Sequence, residues 1–469
     1  MENLDKIFKA YDVRGIYPDE INQDIAYKIG RASAFVLSLK PEDKTFKLRE
    51  KTISKLVVAR DNRLSSEELF SEMTRGIKDQ GIDVIDIGMA TAPMFYQAII
   101  KFKTDGGIMV TASHNPKEYN GFKIFRKNAL PMGGEGLKRI KGLIESKSFK
   151  DAEKKGKVIK KEILKEYVTK ILDLSHANDI GQFKVIADTG NGMAGETISA
   201  LIPELKKVDL INLFGEIDGS FPNHDPNPIN PENTKMLQQK VVLEKADFGI
   251  AFDGDGDRIL FIDEEGQRID PDLISAVIIH YYFKRGGIIL YTAASSRIIK
   301  EEALDSGNDV ICSRVGHSFI KETMAREEVI FGCEASGHYY FKDTDYVEAP
   351  FLVFIKIMEI LSKVKVPLSK LIEHFNRFQQ EKIEIKIQDI RNAEIHIKRV
   401  EEKYKKISRF GRLPNIFHID GLTVEYTDWW FNLRPSNTES VLRLTIEADT
   451  QELLAEQKQE LLKSIPFLS

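Results

Sequence analysis

Three apolar runs in this chain each end on an aspartate: Val57-Val58-Ala59-Arg60-Asp61, Val185-Ile186-Ala187-Asp188 and Ile250-Ala251-Phe252-Asp253. Runs of this kind read as buried strands, and the second and third lead into Gly-containing turns. Between them lie segments of helical period, the clearest being Ile21, Ile25, Ile29, Ala32, Val36 and Leu39. Ser65 with Glu68 reads as a capping box opening a second helix, and Asp83 to Gly88 as another short strand. Strands separated by amphipathic helices restrict such a chain to layered α/β units with mainly parallel sheets.

The chain's 469 residues exceed what one hydrophobic core organises. The expected fold is therefore α/β: three related three-layer α/β domains over 1–150, 151–265 and 266–372, then a smaller α+β domain over 373–469. The third unit contains the strand Ile288-Ile289-Leu290-Tyr291 and closes with a helix from Ala349 through Lys363. The last domain is set apart by the strict alternation Lys382-Ile383-Glu384-Ile385-Lys386-Ile387, the pattern of a half-exposed antiparallel strand, and by strands at Leu422–Tyr426 and Leu442–Ile446. The polar stretch Pro41 to Lys51 reads as a surface insertion.

Composition excludes several roles. With 68 basic residues against 72 acidic ones and a net charge of −4, the chain carries no basic field, which argues against nucleic acid and anionic membrane as partners. The N-terminus lacks a signal-peptide core, and the apolar stretch from Ala349 to Leu361 is shorter than the roughly 20 residues that span a bilayer. Cys312 and Cys333 are the only cysteines, which suits a reducing compartment. A cytoplasmic protein with no membrane partner is expected.

Four short motifs carry chemistry. Thr111-Ala112-Ser113-His114-Asn115-Pro116 follows the strand Gly107-Ile108-Met109-Val110, where open α/β sheets place their ligands. Ser113 suits a nucleophile or phosphate carrier, with His114 or Lys123 to move protons; a plain strand-ending turn is the rival reading. In Asp253-Gly254-Asp255-Gly256-Asp257-Arg258 two glycines let three carboxylates converge on one cation. A solvated acidic turn is the bland alternative, and an EF-hand loop is disfavoured because Arg258 stands where that loop needs Gly and strands flank the segment. Three hard oxygens with open coordination positions fit Mg²⁺ shared with a phosphate oxygen, at which Arg258 would also point. Arg434-Pro435-Ser436-Asn437-Thr438 suits a phosphate-binding loop or, equally, a strand connector. Gly332-Cys333-Glu334-Ala335-Ser336-Gly337-His338 offers Glu334 and Ser336 to sugar hydroxyls and His338 to phosphate or protons. Arg14 in Tyr11-Asp12-Val13-Arg14-Gly15 and His317 in Val315-Gly316-His317-Ser318 lie in further turns, whereas Trp429 and Trp430 read as packing residues and Pro222 to Pro228 as a structural loop.

These four motifs, in this order, resemble the α-D-phosphohexomutase superfamily. Ala10 to Gly15 and Tyr119-Asn120-Gly121-Phe122-Lys123-Ile124 resemble its phosphomannomutase/phosphoglucomutase group more than its phosphoglucosamine mutases. The resemblance implies four domains around a central cleft and Ser113 as a phosphoserine. It implies one Mg²⁺ held by Asp253, Asp255, Asp257 and a Ser113 phosphate oxygen, with Arg258 positioning that phosphate. Arg14, Lys123, His114 and His338 would stabilise the transferring group or handle protons. Glu334, Ser336 and His317 would contact the sugar, and Arg434, Ser436, Asn437 and Thr438 the second phosphate. The implied reaction interconverts hexose 1-phosphate and hexose 6-phosphate, of glucose or mannose, through a hexose 1,6-bisphosphate that is both intermediate and activator. Phosphoglucosamine mutase is the alternative within the class, a metal-dependent sugar phosphatase or a silent sugar-phosphate binder outside it. Hexose phosphates are the expected partners, and the chain a monomer or dimer.

Overall fold

A computed structural model of the chain describes residues 4–38, 55–146, 149–387, 392–436 and 441–465. Leu39, the stretch Pro41 to Lys51, Asn437 and Thr438 lie outside the described residues. The chain divides into two compact units, one of Met1–Ile269 with Ser336–Leu368 and one of Asp270–Ala335 with Ser369–Ser469.

The first unit holds two sheets. In a seven-stranded sheet, Lys55–Arg60, Asp83–Met89, Gly106–Val110 and Val158–Lys160 run parallel. Tyr119–Arg126 then pairs antiparallel with Gly106–Val110, and Val13–Ile16 antiparallel with Tyr119–Arg126. The helix Gln23–Leu37 packs against this sheet through Ile25, Ile29, Ala32 and Val36, the stripe its sequence period announces. Asn22 caps it by accepting from Ile25 N at 3.1 Å. The expected capping box at Ser65 is absent. Ser65 already has helical φ/ψ and makes no side-chain cap bond; its Oγ instead accepts from the buried Asn120 amide, and Glu68 accepts from Tyr17 and Gln23.

The second sheet orders five strands, with Phe183–Asp188 parallel to both Val208–Leu213 and Phe248–Phe252. Phe248–Phe252 turns back antiparallel into Ile259–Asp263, so the acidic motif is a hairpin connection between strands and the EF-hand alternative fails. A helix forms at Pro350–Val364, where the sequence reads one. It packs in the first unit, with Phe351 stacked on Phe252 (5.0 Å between ring centres) and Phe354 edge-on to Phe248. Its side chains are buried from Pro350 through Leu361, and a helix apolar all round needs cover on every face.

In the second unit, Ile288–Thr292 lies parallel to Asp309–Ser313 on one side and to Phe331–Glu334 on the other. A separate five-stranded antiparallel sheet runs Gln379–Lys386, Val441–Ala448, Trp429–Pro435, Leu422–Glu425, Asn415–Phe417. Alternation in Gln379–Lys386 marks the half-exposed strand as expected. The strand Trp429–Pro435 went unread because Arg434 and Pro435 look like loop residues; they are its last two. Trp429 stacks with Tyr426 and Phe431 in the core, and Trp430 Nε1 donates to Glu447 at 2.7 Å, so both tryptophans are packing residues.

The helices Gln23–Leu37 and Ser66–Asp79 touch backbone to backbone. A Cβ on Gly30 would stand 2.1 Å from Met73 O, and one on Gly76 2.3 Å from Tyr27 O. Gly30→Ala should therefore cost about 1–3 kcal/mol through forced separation of the helices, read as a lowered urea midpoint. Gly142→Ala, on a helix position with nothing within 4 Å, should leave the midpoint unchanged or raise it, since it removes about 0.5–1 kcal/mol of helix penalty.

Candidate active site

Ser113 lies just beyond the C-terminal end of Gly106–Val110, in the left-handed region at φ +52°. That conformation is uncommon for a residue with a Cβ, and specific bonds hold it. The Thr111 hydroxyl oxygen accepts from Ser113 N at 2.9 Å and donates to Asp255 Oδ2 at 3.2 Å. The Ser113 hydroxyl donates to Asp253 Oδ2 at 3.0 Å, with His114 Nδ1 3.3 Å away.

The three aspartates hang from the turn between Phe248–Phe252 and Ile259–Asp263. The turn folds on itself because Asp253 Oδ1 accepts from the backbone N–H groups of Asp257 (3.1 Å) and Arg258 (3.2 Å). Gly254 is required by proximity: a Cβ there would sit 2.6 Å from Ser113 O. Gly256 is required by conformation, with φ +67°. One carboxylate oxygen from each of Asp253, Asp255 and Asp257 lies within 4.8 Å of the others, and all three residues are buried. Asp255 Oδ1 has no hydrogen-bond partner, an oxygen left for a cation.

Cations surround the cluster. Lys123 Nζ reaches Asp255 Oδ2 and Asp257 Oδ2, both at 2.7 Å. His338 Nε2 lies 3.1 Å from Asp257 Oδ1, and its Nδ1 2.8 Å from Ser336 Oγ. Arg258 donates through Nη2 to His114 Nδ1 at 2.9 Å and holds Nε 3.5 Å from Asp253. Arg14 donates to Asn115 Oδ1 at 2.6 Å and pairs with Asp12.

Charge follows from these contacts. Burial, then the neighbouring Asp257 and Asp255, push the Asp253 carboxyl up to about 7. Burial works on Asp257 in the same direction, but Lys123 and His338 outweigh it and hold that carboxyl well below the usual range. Lys123 loses solvation by burial, yet its two carboxylates keep it firmly protonated. His114 is pushed well below its ordinary value by burial and by Arg258 and Arg14, so it is a neutral imidazole that accepts from Arg258. Hard oxygen donors gathered in a buried space, with Asp255 Oδ1 unclaimed, fit a divalent cation.

The first unit thus gathers Ser113, His114, Lys123, Arg14, Arg258, Ser336, His338 and the three aspartates. Glu334, His317, Arg434 and Ser436 belong to the second unit. There Glu334 ends the strand Phe331–Glu334, buried, and His317 opens the helix His317–Glu327 after Gly316. Arg434 is buried with Nε 3.9 Å from Asp420, whose carboxylate also accepts from the Val315 N–H at 3.2 Å and lies 3.9 Å from Arg314 Nε. Ser436 N donates to Val441 O at 2.9 Å.

Sequence reasoning gave Thr111 no role and passed over Arg63. Thr111 was legible as a hydroxyl two residues before Ser113; Arg63 was not, because most of its partners are backbone carbonyls. The Pro222–Pro228 segment is structural as read: His224 Nε2 sits 3.1 Å from Asp188 Oδ2, and Pro226 packs behind Gly254.

Relatives agree with this architecture. Four phosphoglucomutase/phosphomannomutase families match in succession, alpha/beta/alpha domains I, II and III over residues 5–151, 165–266 and 270–378, and the C-terminal domain over 382–464. A phosphomannomutase of Vibrio cholerae is 36% identical over 471 residues, covering 98% of each chain. A phosphoglucomutase of Neisseria gonorrhoeae is 34% identical, covering 95% of this chain and 93% of its own. A crystal structure of a phosphoglucomutase/phosphomannomutase family protein from Burkholderia thailandensis superposes with a TM-score of 0.86 at 30% identity, covering 98% of this chain and 96% of that one. The chain belongs to the phosphoglucomutase/phosphomannomutase family, with three α/β domains and a C-terminal domain.

Lys123 and a cation held by the aspartates would neutralise the same carboxylates. Lys123→Met should cost the metal-free protein about 3–5 kcal/mol, because it strands two buried charges. The same substitution should enlarge the rise in unfolding temperature on replacing chelator with a divalent cation. A rise equal to that of the parent protein would contradict the shared role.

Proposed function

We propose that the chain is a phosphohexose mutase that interconverts hexose 1-phosphate and hexose 6-phosphate, of glucose and mannose, through a phosphorylated Ser113. The supporting observation is the Ser113 hydroxyl, 3.0 Å from a carboxylate of a buried three-aspartate cluster. Family membership supports the reaction class, and relatives named for each sugar support both substrates. In the proposed cycle a sugar hydroxyl attacks phosphoserine phosphorus, the Ser113 Oγ–P bond breaks, and a hexose 1,6-bisphosphate forms. The bisphosphate turns, Ser113 Oγ attacks its other phosphate, and the isomerised monophosphate leaves. Phosphoryl transfer of this kind needs positioning and charge neutralisation above all.

Asp253, Asp255 and Asp257 would hold one Mg²⁺ together with an oxygen of the Ser113 phosphate; bound there, it supplies charge to polarise the phosphoryl group. Lys123, held protonated, adds fixed positive charge beside that group. Arg258 and Arg14 lie on the two sides of the serine loop, where guanidinium groups suit phosphate oxygens. When Ser113 is free, its hydroxyl proton is donated to Asp253 Oδ2, since His114 Nδ1 already accepts from Arg258. His338, fixed between Ser336 and Asp257, can pass a proton to or from a sugar hydroxyl. Glu334, Ser336 and His317 are assigned to sugar contacts, and Arg434, Ser436, Asn437 and Thr438 to the second phosphate. Hexose 1,6-bisphosphate would also restore phosphate to an enzyme that has lost it. No helix among the described residues is long and apolar enough to cross a membrane, and a cytoplasmic site of action is proposed.

Intact-protein mass with peptide mapping should find one phosphate on Ser113, and Ser113→Ala should lower kcat by more than about a thousandfold. Glucose 1-phosphate and mannose 1-phosphate should both be turned over, in preference to glucosamine 1-phosphate. Retained turnover in the alanine variant would sink the phosphoserine cycle.

A further inference from the structure

Arg63 spends every donor it has inside the protein. Nε donates to Asp61 Oδ2 at 3.1 Å. Nη1 donates to the carbonyls of Pro116 (2.7 Å) and Tyr119 (3.0 Å), and Nη2 to those of Ser113 (2.8 Å) and Asn115 (2.6 Å). A guanidinium has five N–H bonds, and all five are used. Its side chain is fully buried, beneath the Phe221 ring, whose centre lies 5.2 Å from Cζ.

We propose that Arg63 is the positioning residue of the phosphotransfer site, fixing the Ser113 loop by gathering four of its carbonyls onto one planar cation. The proposal rests on the phosphoserine reading above. The loop from Ser113 to Glu118 forms neither helix nor strand; Pro116 O also accepts from Tyr119 N at 3.1 Å, and the Ser113 and Asn115 carbonyls take their donors from Arg63. The Ser113 carbonyl is the most consequential. Anchoring it pins a peptide plane whose residue stands at φ +52°, a strain of about 1–3 kcal/mol that the surroundings must over-determine. The anchor is itself fixed. Asp61 Oδ1 accepts from Arg63 N at 3.1 Å and from Ser66 Oγ at 2.5 Å, so the carboxylate cannot swing away. Asn62 Nδ2 donates to Asn191 O at 2.7 Å, tying the same turn to the second sheet's side of the unit.

Arg63 has no hydrogen bond to the Ser113 hydroxyl or to any of the three aspartates; it acts through the backbone. Lysine cannot replace it, because an ammonium offers three donors from one point where the loop needs a flat fork. The consequence is specific to the chemical step. Misplacement of a reacting group by about 1 Å costs about a hundredfold, while groups that bind free sugar phosphate keep their places.

The test compares Arg63→Lys with the parent protein, each loaded with Mg²⁺. The expected result is a folded variant with kcat lowered about tenfold to a hundredfold. Its KM for glucose 1-phosphate should stay within about twofold. Free guanidinium should restore part of kcat to Arg63→Ala. Should neither variant fold, Ser66→Ala reads the same question, since it loosens Asp61 by about one hydrogen bond and should lower kcat up to about fivefold at unchanged KM. A folded Arg63→Lys with parental kcat overturns the proposal, as does a loss carried by KM, or a Ser66→Ala with parental kcat when the Arg63 variants do not fold. Phosphate on parental Ser113 after incubation with glucose 1,6-bisphosphate, measured alongside, separates the two levels: its presence with a fully active Arg63→Lys removes only Arg63, whereas its absence removes the phosphoserine reading itself.

Discussion

Everything at the candidate site depends on one ammonium group between two carboxylates. Lys123 comes from the antiparallel strand Tyr119–Arg126 of the first sheet, Asp255 and Asp257 from the hairpin turn of the second, and Nζ reaches both at 2.7 Å. Neither partner tolerates burial alone: an isolated buried ion costs several kcal/mol, and the pair recovers this only with good geometry. The two sheets are therefore held at a fixed separation by charge as well as by packing. The Ser113 hydroxyl sits inside that separation, within hydrogen-bond reach of the third carboxylate. Asp255 Oδ1, which no donor claims, is the oxygen a divalent cation would take.

Much of this was readable from the amino-acid order. The strands ending on Asp61, Asp188 and Asp253, the helix stripe from Ile25 to Val36 and the alternating strand near Lys382 all form, because period and burial are local properties. Ser113 and the three aspartates were legible for a similar reason: each motif is contiguous, and Pro116 in one and Gly254 and Gly256 in the other declare a turn. The contacts between motifs were not. Nothing in the order of residues shows that Lys123 meets Asp255, since the two come from different sheets. Ser65 misled because its hydroxyl serves Asn120 and not the helix start. Arg63 was invisible because carbonyl partners have no side-chain signature, and Pro435 hid the end of a strand by looking like a turn.

The serine loop and the acidic turn also limit each other's sequences. Gly254 has room for a hydrogen alone because Ser113 O approaches it, and Ser113 holds a left-handed backbone because Thr111 and its carbonyl anchor constrain it from both sides. Strain at a reacting residue persists only when its surroundings over-determine it. Here the surroundings come from both sheets, so the Ser113 hydroxyl is placed by their union and by neither alone.

The helix Pro350–Val364 gives the chain an order of assembly. Its Phe351 and Phe354 cover Phe252 and Phe248, which precede it by about a hundred positions. Residues 270–335, which belong to the other unit, lie between in the chain. During synthesis the strand that carries the acidic turn thus emerges with one aromatic face bare, and it stays bare until the ribosome has passed residue 364. The first unit to begin folding cannot be finished until much of the second has already left the tunnel.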